Sequence, residues 1–310
     1  VNPDAVRPDA VHPDPEPPDS EQPDTVGLDP PAADVAEAVA RAVGEDQDER
    51  GDLTGSLLDV DVVAVADVVA REDGVLAGEA CARAAFHLLD DALDVRFTRH
   101  DGDRLVAGDV VASVRGRLRS ILAAERTALN FLGHLSGVAT ATRTLVDAVL
   151  AVDPRVVVLD TRKTTPGLRT LEKAAVRAGG GTNHRGSLSD AVLLKDNHLG
   201  VLGISEGVRR ARERWPGVRV QVECDTEGQV DEAVAVGADA ILLDNMAPPL
   251  AASSVARARA ARPGVFIEAS GGVTVATAPA YAAAGVDAVS SGALTHSARA
   301  LDLGLDLREG

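Results

Sequence analysis

The densest group of chemically capable residues is Asp160-Thr161-Arg162-Lys163-Thr164-Thr165-Pro166-Gly167-Leu168-Arg169. Arg162 and Lys163 stand side by side before a Pro-Gly turn, where two cations and the threonine hydroxyls can face one anion. A solvated loop would carry the same charges without a ligand. Gly179-Gly180-Gly181-Thr182-Asn183-His184-Arg185 follows. Three consecutive glycines cost entropy, tolerable where backbone approaches a ligand or turns sharply, and His184 and Arg185 then add donors. Leu193-Leu194-Lys195-Asp196-Asn197-His198 sets a lysine at the end of an apolar run. Such a lysine can form a Schiff base or hold a phosphate or carboxylate as a fixed charge; the surrounding arginines and carboxylates suit the second role. Asp196 and His198 read as ordinary loop residues.

Glu223 and Asp244 close two further apolar runs, Val222-Glu223-Cys224-Asp225 and Leu243-Asp244-Asn245. Two carboxylates on one rim can hold a Mg²⁺ that keeps most of its waters and bridges to substrate oxygens, or they can pair with nearby arginines. Ser270-Gly271-Gly272 and Ser291-Gly292 end the last two runs, where glycine lets backbone N–H groups approach a phosphate. Each pair alone would equally serve a turn. Neither a GxxxxGK[ST] loop nor a GxGxxG fingerprint occurs, so nucleotide binding through those loops is unsupported.

These groups need elements to position them. Short apolar strands are expected at 156–159, 191–194, 218–222, 240–243, 265–267 and 288–289, separated by helical segments at 170–178, 205–214, 229–236, 251–261 and 276–284. Strands joined by crossover helices build a parallel sheet, and polar groups at the C-terminal ends of many strands mark the active face of a (β/α) barrel. Six plain strands predict an incomplete barrel. Upstream, a helix from Asp34, a strand over 60–69, a turn over 74–78, a helix over 79–89 and a strand over 95–98 predict a small α+β domain. Helical stretches are expected over 119–130 and, after Ser136 and Gly137, over 138–150. The domain reading is 34–137 for the α+β unit, 138–296 for the barrel, and 297–310 for a C-terminal segment that returns to the first unit. Residues 1–33 carry Pro-Asp pairs at Pro3, Pro8, Pro13, Pro18 and Pro23, a five-residue repeat expected to stay disordered as an acidic tail.

The 310 residues suffice for two domains, and 45% hydrophobic with only 2% aromatic residues requires an aliphatic core. A formal charge of −17 argues against nucleic acid and, at face value, against anionic ligands. The tail holds eight acids and one base, −7, leaving −10 for residues 34–310, which still contain the cations above. Acidity with only three lysines, Lys163, Lys173 and Lys195, suggests adaptation to high salt, where screening removes long-range repulsion of anions. Cys81 and Cys224 form no metal or disulfide pattern, so a reducing cytoplasm is expected. No apolar run is long enough for a membrane span.

Together these stretches resemble the quinolinate phosphoribosyltransferase family of NAD biosynthesis over about residues 34 to 310. The resemblance includes Gly51-Asp52-Leu53-Thr54, Ala70 through Gly78, Glu125-Arg126-Thr127-Ala128-Leu129-Asn130 and His134-Leu135-Ser136-Gly137, as well as the rim motifs. It implies an N-terminal α+β open sandwich with an incomplete barrel of about six to seven strands. It implies transfer of phosphoribosyl from phosphoribosyl pyrophosphate to quinolinate, with Mg²⁺, giving nicotinate mononucleotide, CO₂ and pyrophosphate. Arg162, His184 and Arg185, assisted by Arg126 and Lys195, would bind the two carboxylates, Arg126 reaching in from a neighbouring subunit of a dimer or hexamer. Thr161, Lys163 and Lys195 would face the pyrophosphate, Glu223 and Asp244 the ribose hydroxyls and the metal. Ser270, Gly271, Gly272, Ser291 and Gly292 would take the 5-phosphate. Lys163, Lys195, Glu223 and Asp244 are thus the implied catalytic set. Where relatives place a variable residue after Asn-His-Arg, Gly186 follows Arg185 directly. The alternatives are a paralogue for another pyridine carboxylate, a Schiff-base aldolase using Lys195, and a non-catalytic phosphosugar-binding protein.

Overall fold

The computed structural model describes residues 27–47 and 49–308. Of the tail expected to be disordered over residues 1–33, the Pro-Asp repeat lies on 1–26, outside the described residues. The remainder is ordered, since Arg177 donates to the Gly27, Leu28 and Asp29 carbonyls at 3.1, 3.3 and 3.3 Å and a helix already begins at Ala32. The N-terminal half comprises α1 (Ala32–Asp46), β1 (Val63–Ala70), β2 (Gly74–Val75), α2 (Glu79–Leu89), β3 (Asp94–Phe97), β4 (Arg104–Leu105) and β5 (Val110–Arg117). A long helix, α3 (Leu118–Leu150), leads to the second half. There β6 (Val157–Leu159), α4 (Arg169–Ala178), β7 (Val192–Leu194), α5 (Asp196–Leu202), α6 (Ile204–Arg214), β8 (Val220–Cys224) and α7 (Glu227–Ala235) follow. The chain continues through β9 (Ala240–Asp244), α8 (Pro248–Ala261), β10 (Phe266–Ser270), α9 (Ala278–Ala283), β11 (Ala288–Ser290), α10 (Ala293–His296) and β12 (Leu303–Leu307).

Alternation builds the first sheet. In β1, Ala66, Val68 and Ala70 are buried on one face, the period that a half-covered antiparallel strand requires. The sheet order is β12-β1-β5-β3, so the C-terminal strand closes the N-terminal sheet by pairing antiparallel with β1. Gly74 and Val75, expected in a turn, instead form β2, which pairs with β4.

The second sheet is parallel, in the order β6-β11-β10-β9-β8-β7. Six strands run round in sequence with β6 and β7 at the two edges, which is a barrel left open between them. Odd and even positions separate cleanly. Val220, Val222, Cys224, Ile241, Leu243, Ile267, Ala269 and Val289 pack outward in one core with the surrounding helices. The alternate positions face the barrel interior, and they are where polar residues collect.

Helix α3 belongs to both halves. Its residues from Ile121 to Ala139 lie in the first core and Leu145, Val146 and Val149 in the second. The interruption expected at Ser136-Gly137 is not there: the helix runs unbroken for 33 residues. The small residues serve a crossing instead. The Gly133 carbonyl accepts the Leu301 N–H at 2.9 Å, Ser136 Oγ accepts the Ala77 N–H at 3.0 Å, and a Cβ on Gly137 would come within 3.1 Å of Ala300 Cα. Gly137→Val is therefore expected to destabilise the fold by about 1–3 kcal/mol through overpacking against rigid backbone. A urea midpoint equal to that of the parent would refute the crossing as the reason for glycine.

Candidate active site

Inward positions at the strand ends enclose a cavity of about 140 Å³ lined by Thr161, Arg162, Lys163, His184, Arg185, Leu193, Lys195, Glu223, Leu242, Asp244, Glu268, Ser270 and Ser290. Four fixed cations thus converge on one small space despite the acidity of the chain. Lys195, at the end of β7, donates to Glu223 Oε2 at 2.6 Å. Asp244 accepts from Asn245 Nδ2 at 2.6 Å. Burial pushes the Arg185 guanidinium below its usual range, and the neighbouring Arg162 charge adds to the effect. Two arginines crowded this closely favour an anion between them.

A buried network holds the segment that carries His184 and Arg185. Asp160 is fully buried and accepts the His184 N–H at 2.9 Å and Asn183 Nδ2 at 2.6 Å. Lys173 Nζ bonds to Asp160 and donates to the His184 carbonyl at 2.8 Å. Burial raises the Asp160 carboxyl above its ordinary value even though Lys173 opposes it. From the other side, Arg169 donates to Thr164 Oγ1 and to the Gly186 carbonyl, each at 3.1 Å, tying the two loops together. Asp190 receives the Gly186 and Ser187 N–H groups at 2.7 and 3.0 Å, which fixes the path after Arg185. The glycine run is a close crossing, with no ligand approach: a Cβ on Gly179 or Gly181 would lie 2.6 or 2.8 Å from the Thr142 side chain, and Gly180 has φ +85°.

Models of two domains match almost the whole described chain: "Quinolinate phosphoribosyl transferase, N-terminal domain" over residues 52–136 and "Quinolinate phosphoribosyl transferase, C-terminal domain" over 138–306. The chain belongs to the quinolinate phosphoribosyl transferase family. It is 42% identical over 259 residues to a probable nicotinate-nucleotide pyrophosphorylase (carboxylating) of Bacillus subtilis, covering 83% of this chain and 88% of that one. It is 40% identical over 278 residues to the nicotinate-nucleotide pyrophosphorylase (carboxylating) of Mycobacterium leprae, covering 87% and 96%. Among solved structures, the nicotinate-nucleotide pyrophosphorylase from Francisella tularensis superposes with a TM-score of 0.85 at 36% identity, over 91% of this chain and 98% of that one.

In this quinolinate phosphoribosyl transferase, nine expected site residues line the one cavity: Thr161, Arg162, Lys163, His184, Arg185, Lys195, Glu223, Asp244 and Ser270. Gly271, Gly272, Ser291 and Gly292 do not line it. Gly271 and Gly272 have φ +86° and +63°, and a Cβ on Gly292 would sit 2.9 Å from Lys163 Cδ, which places this glycine against the rim lysine. Arg126 is exposed on α3 and borders a different cavity with Glu45, Asp46, Asn130 and His134.

His184 lines the cavity with its ring held from within the chain. Its Nδ1 accepts the Arg185 N–H at 2.8 Å and its Nε2 lies 3.2 Å from both Gln221 Oε1 and Glu268 Oε2, so both ring nitrogens are engaged within the chain. Glu268 and Gln221 were missed because they lie inside apolar strands, before the strand ends, and Ser290, the last residue of β11, because its neighbour Ser291 with Gly292 reads as the end of that strand. The available signal was phase: Glu268 precedes Ser270 by two, and Gln221 precedes Glu223 by two, on the inward face.

Proposed function

We propose that this enzyme transfers the phosphoribosyl group of phosphoribosyl pyrophosphate to quinolinate and releases CO₂ and pyrophosphate, making nicotinate mononucleotide for NAD biosynthesis. The observation that supports it most is the single cavity ringed by Arg162, Lys163, Arg185 and Lys195, with Glu223 and Asp244 in its wall. The quinolinate ring nitrogen forms the bond to the anomeric carbon as the bond from that carbon to pyrophosphate breaks. Positive charge grows on the ribosyl centre and negative charge on the leaving group, so fixed cations near the leaving oxygens matter more than a general base. Lys163 and Lys195 meet the pyrophosphate with Thr161, and Arg162 and Arg185 hold the carboxylates in plane through forked donors. The pyridinium so formed accepts the electron pair when the 2-carboxylate departs as CO₂, and a proton takes its place. Ser270 in the cavity wall would take the 5-phosphate, with Gly271, Gly272, Ser291 and Gly292 beyond the cavity supplying the turns that flank it.

Glu223 and Asp244 fit Mg²⁺, since their hard carboxylate oxygens share one cavity and this ion takes one or two protein carboxylates with water and substrate oxygens. Bound there, the ion would neutralise charge on the pyrophosphate. With quinolinate, phosphoribosyl pyrophosphate and Mg²⁺, the expected products are nicotinate mononucleotide, CO₂ and pyrophosphate in equal amounts. Turnover of nicotinate with none of quinolinate would overturn the dicarboxylate clamp.

Because Arg126 is exposed and lies outside its own chain's cavity, the reading includes a homo-oligomer, a dimer or hexamer, in which Arg126 serves the neighbouring site. Arg126→Ala and Arg162→Ala should each be nearly inactive, and mixed subunits should regain about a quarter of the parent activity, one intact site in each hybrid dimer. Verified hybrids without activity would remove the shared site. Among the described residues no helix is long and apolar enough to cross a membrane, and both cysteines are buried with burial raising their thiols to about 12. The proposed setting is a cytoplasmic enzyme acting on small molecules. The acid excess supports salt adaptation: stability should rise in molar KCl, and a fall would refute it.

A further inference from the structure

Glu268 is the one carboxylate of the cavity wall that the transfer chemistry above leaves without a task. It lies in the middle of β10 on the inward face and is 1% exposed. Its Oε2 receives Gln221 Nε2–H at 2.8 Å and stands 3.2 Å from His184 Nε2, while Oε1 is buried without a partner. Burial pushes this carboxyl up, but the hydrogen bond and charge of His184, with the Gln221 bond, outweigh it and hold the group below its ordinary value. A negative charge is unhelpful beside a cavity meant for anions, so its worth must lie in what it fixes.

What it fixes is a chain of contacts leading to the substrate arginine. Nε2 of His184 points into the barrel at Glu268 and Gln221, which leaves Nδ1 as the acceptor for the Arg185 N–H at 2.8 Å. Arg185 then donates through Nη1 to the Ala191 carbonyl at 3.1 Å. The His184 backbone is already held by Asp160 and Lys173, so Glu268 and Gln221 are what orient the ring.

We propose that Glu268 is a positioning residue for the dicarboxylate end of the cavity, acting as a hydrogen-bond acceptor that sets the His184 ring and, through it, Arg185. The proposal rests on the quinolinate reading above. It separates shape from charge. Gln at 268 keeps an acceptor where Oε2 stands and removes the charge; Leu removes both.

The test is steady-state kinetics of the full chain and its Glu268→Gln and Glu268→Leu variants, varying each substrate in turn. Glu268→Gln should leave KM for quinolinate within about 3-fold of the parent or lower it, because one repelling charge is gone. Glu268→Leu should raise that KM about 10-fold or more while KM for phosphoribosyl pyrophosphate stays within about 3-fold. If Glu268→Gln is damaged as much as Glu268→Leu, the charge is what acts and the proposal falls; it falls equally if Glu268→Leu leaves KM for quinolinate unchanged. Should Glu268→Leu not fold, Gln221→Leu must show the same quinolinate-selective rise, and an unchanged KM there overturns the proposal. Nitrogen NMR of the His184 ring reads the same point without turnover. The Nε2–H tautomer should persist in Glu268→Gln and be lost in Glu268→Leu or Gln221→Leu, so a parent that ignores quinolinate would end the substrate reading and still leave the positioning role to be decided by the spectrum.

Discussion

Lys195→Met is expected to lower kcat/KM for phosphoribosyl transfer by about 10³-fold, about 4 kcal/mol of transition-state stabilisation. Two losses combine. The first is a fixed cation at the place where pyrophosphate gathers negative charge. The second is the partner of Glu223, whose side chain is only 10% exposed and accepts from Lys195 Nζ at 2.6 Å. Without the ammonium, that largely buried carboxylate faces a polyanionic substrate unpaired, and its repulsion adds to the lost attraction. The two losses can be told apart: Glu223→Gln added to Lys195→Met should recover part of the affinity for phosphoribosyl pyrophosphate but little of kcat. Lys195→Arg should restore little, since a planar fork does not occupy the place of a compact ammonium. A drop smaller than about 10-fold in Lys195→Met would place the leaving group elsewhere. Borohydride trapping of a carbonyl substrate on Lys195 would instead revive the aldolase reading.

The residues most legible in the sequence are those that end apolar runs. Asp160, Lys195, Glu223, Asp244 and Ser270 each break a hydrophobic strand at its C-terminal end, and that position is visible without knowing which face a strand buries. The inward phase was a weaker signal: Gln221 and Glu223 alternate with Val220, Val222 and Cys224, and Glu268 stands two before Ser270, but strands buried on both faces do not mark which face is the interior. The three-dimensional arrangement is what brings Gln221, Glu223, Glu268 and Ser270 together. Local signals also misled where tertiary contact overrode them. Ser136-Gly137 looks like a break in a helix, yet its smallness admits the Arg299–Ala300 backbone and the helix continues. Gly179 to Gly181 looks like a ligand cradle and is a close crossing over α3. A histidine beside an arginine looks like a second ligand, yet both its ring nitrogens have partners within the chain.

Lys173→Met should be the most damaging single change to stability, lowering it by about 3–5 kcal/mol, a large part of the 5–15 kcal/mol typical of a folded chain. Lys173 and Asp160 form a buried pair, 6% and 0% exposed. Methionine fills a similar volume but leaves the Asp160 carboxylate buried with only the Asn183 and His184 donors, and strips one donor from the His184 carbonyl. Replacing the pair by two apolar residues would not repair the loss, because the His184 N–H would then be orphaned and Asn183 Nδ2 would keep only the backbone carbonyl at position 173. The pH dependence has a definite sign. Burial already holds Asp160 above its ordinary 3.8, and removing the lysine raises it further. The folded variant therefore takes up a proton at pH values where the unfolded chain does not. Stability of Lys173→Met should consequently fall as pH rises from 3.8 through the raised folded value and stay low above it, so its deficit against the parent shrinks in acid. Denaturation in urea across that range measures both quantities. A loss below about 1 kcal/mol at neutral pH, or a deficit that grows on acidification, would show that Asp160 is not the charge Lys173 serves. Because the same pair anchors the segment bearing His184 and Arg185, KM for quinolinate should rise in the variant even at temperatures where it remains folded.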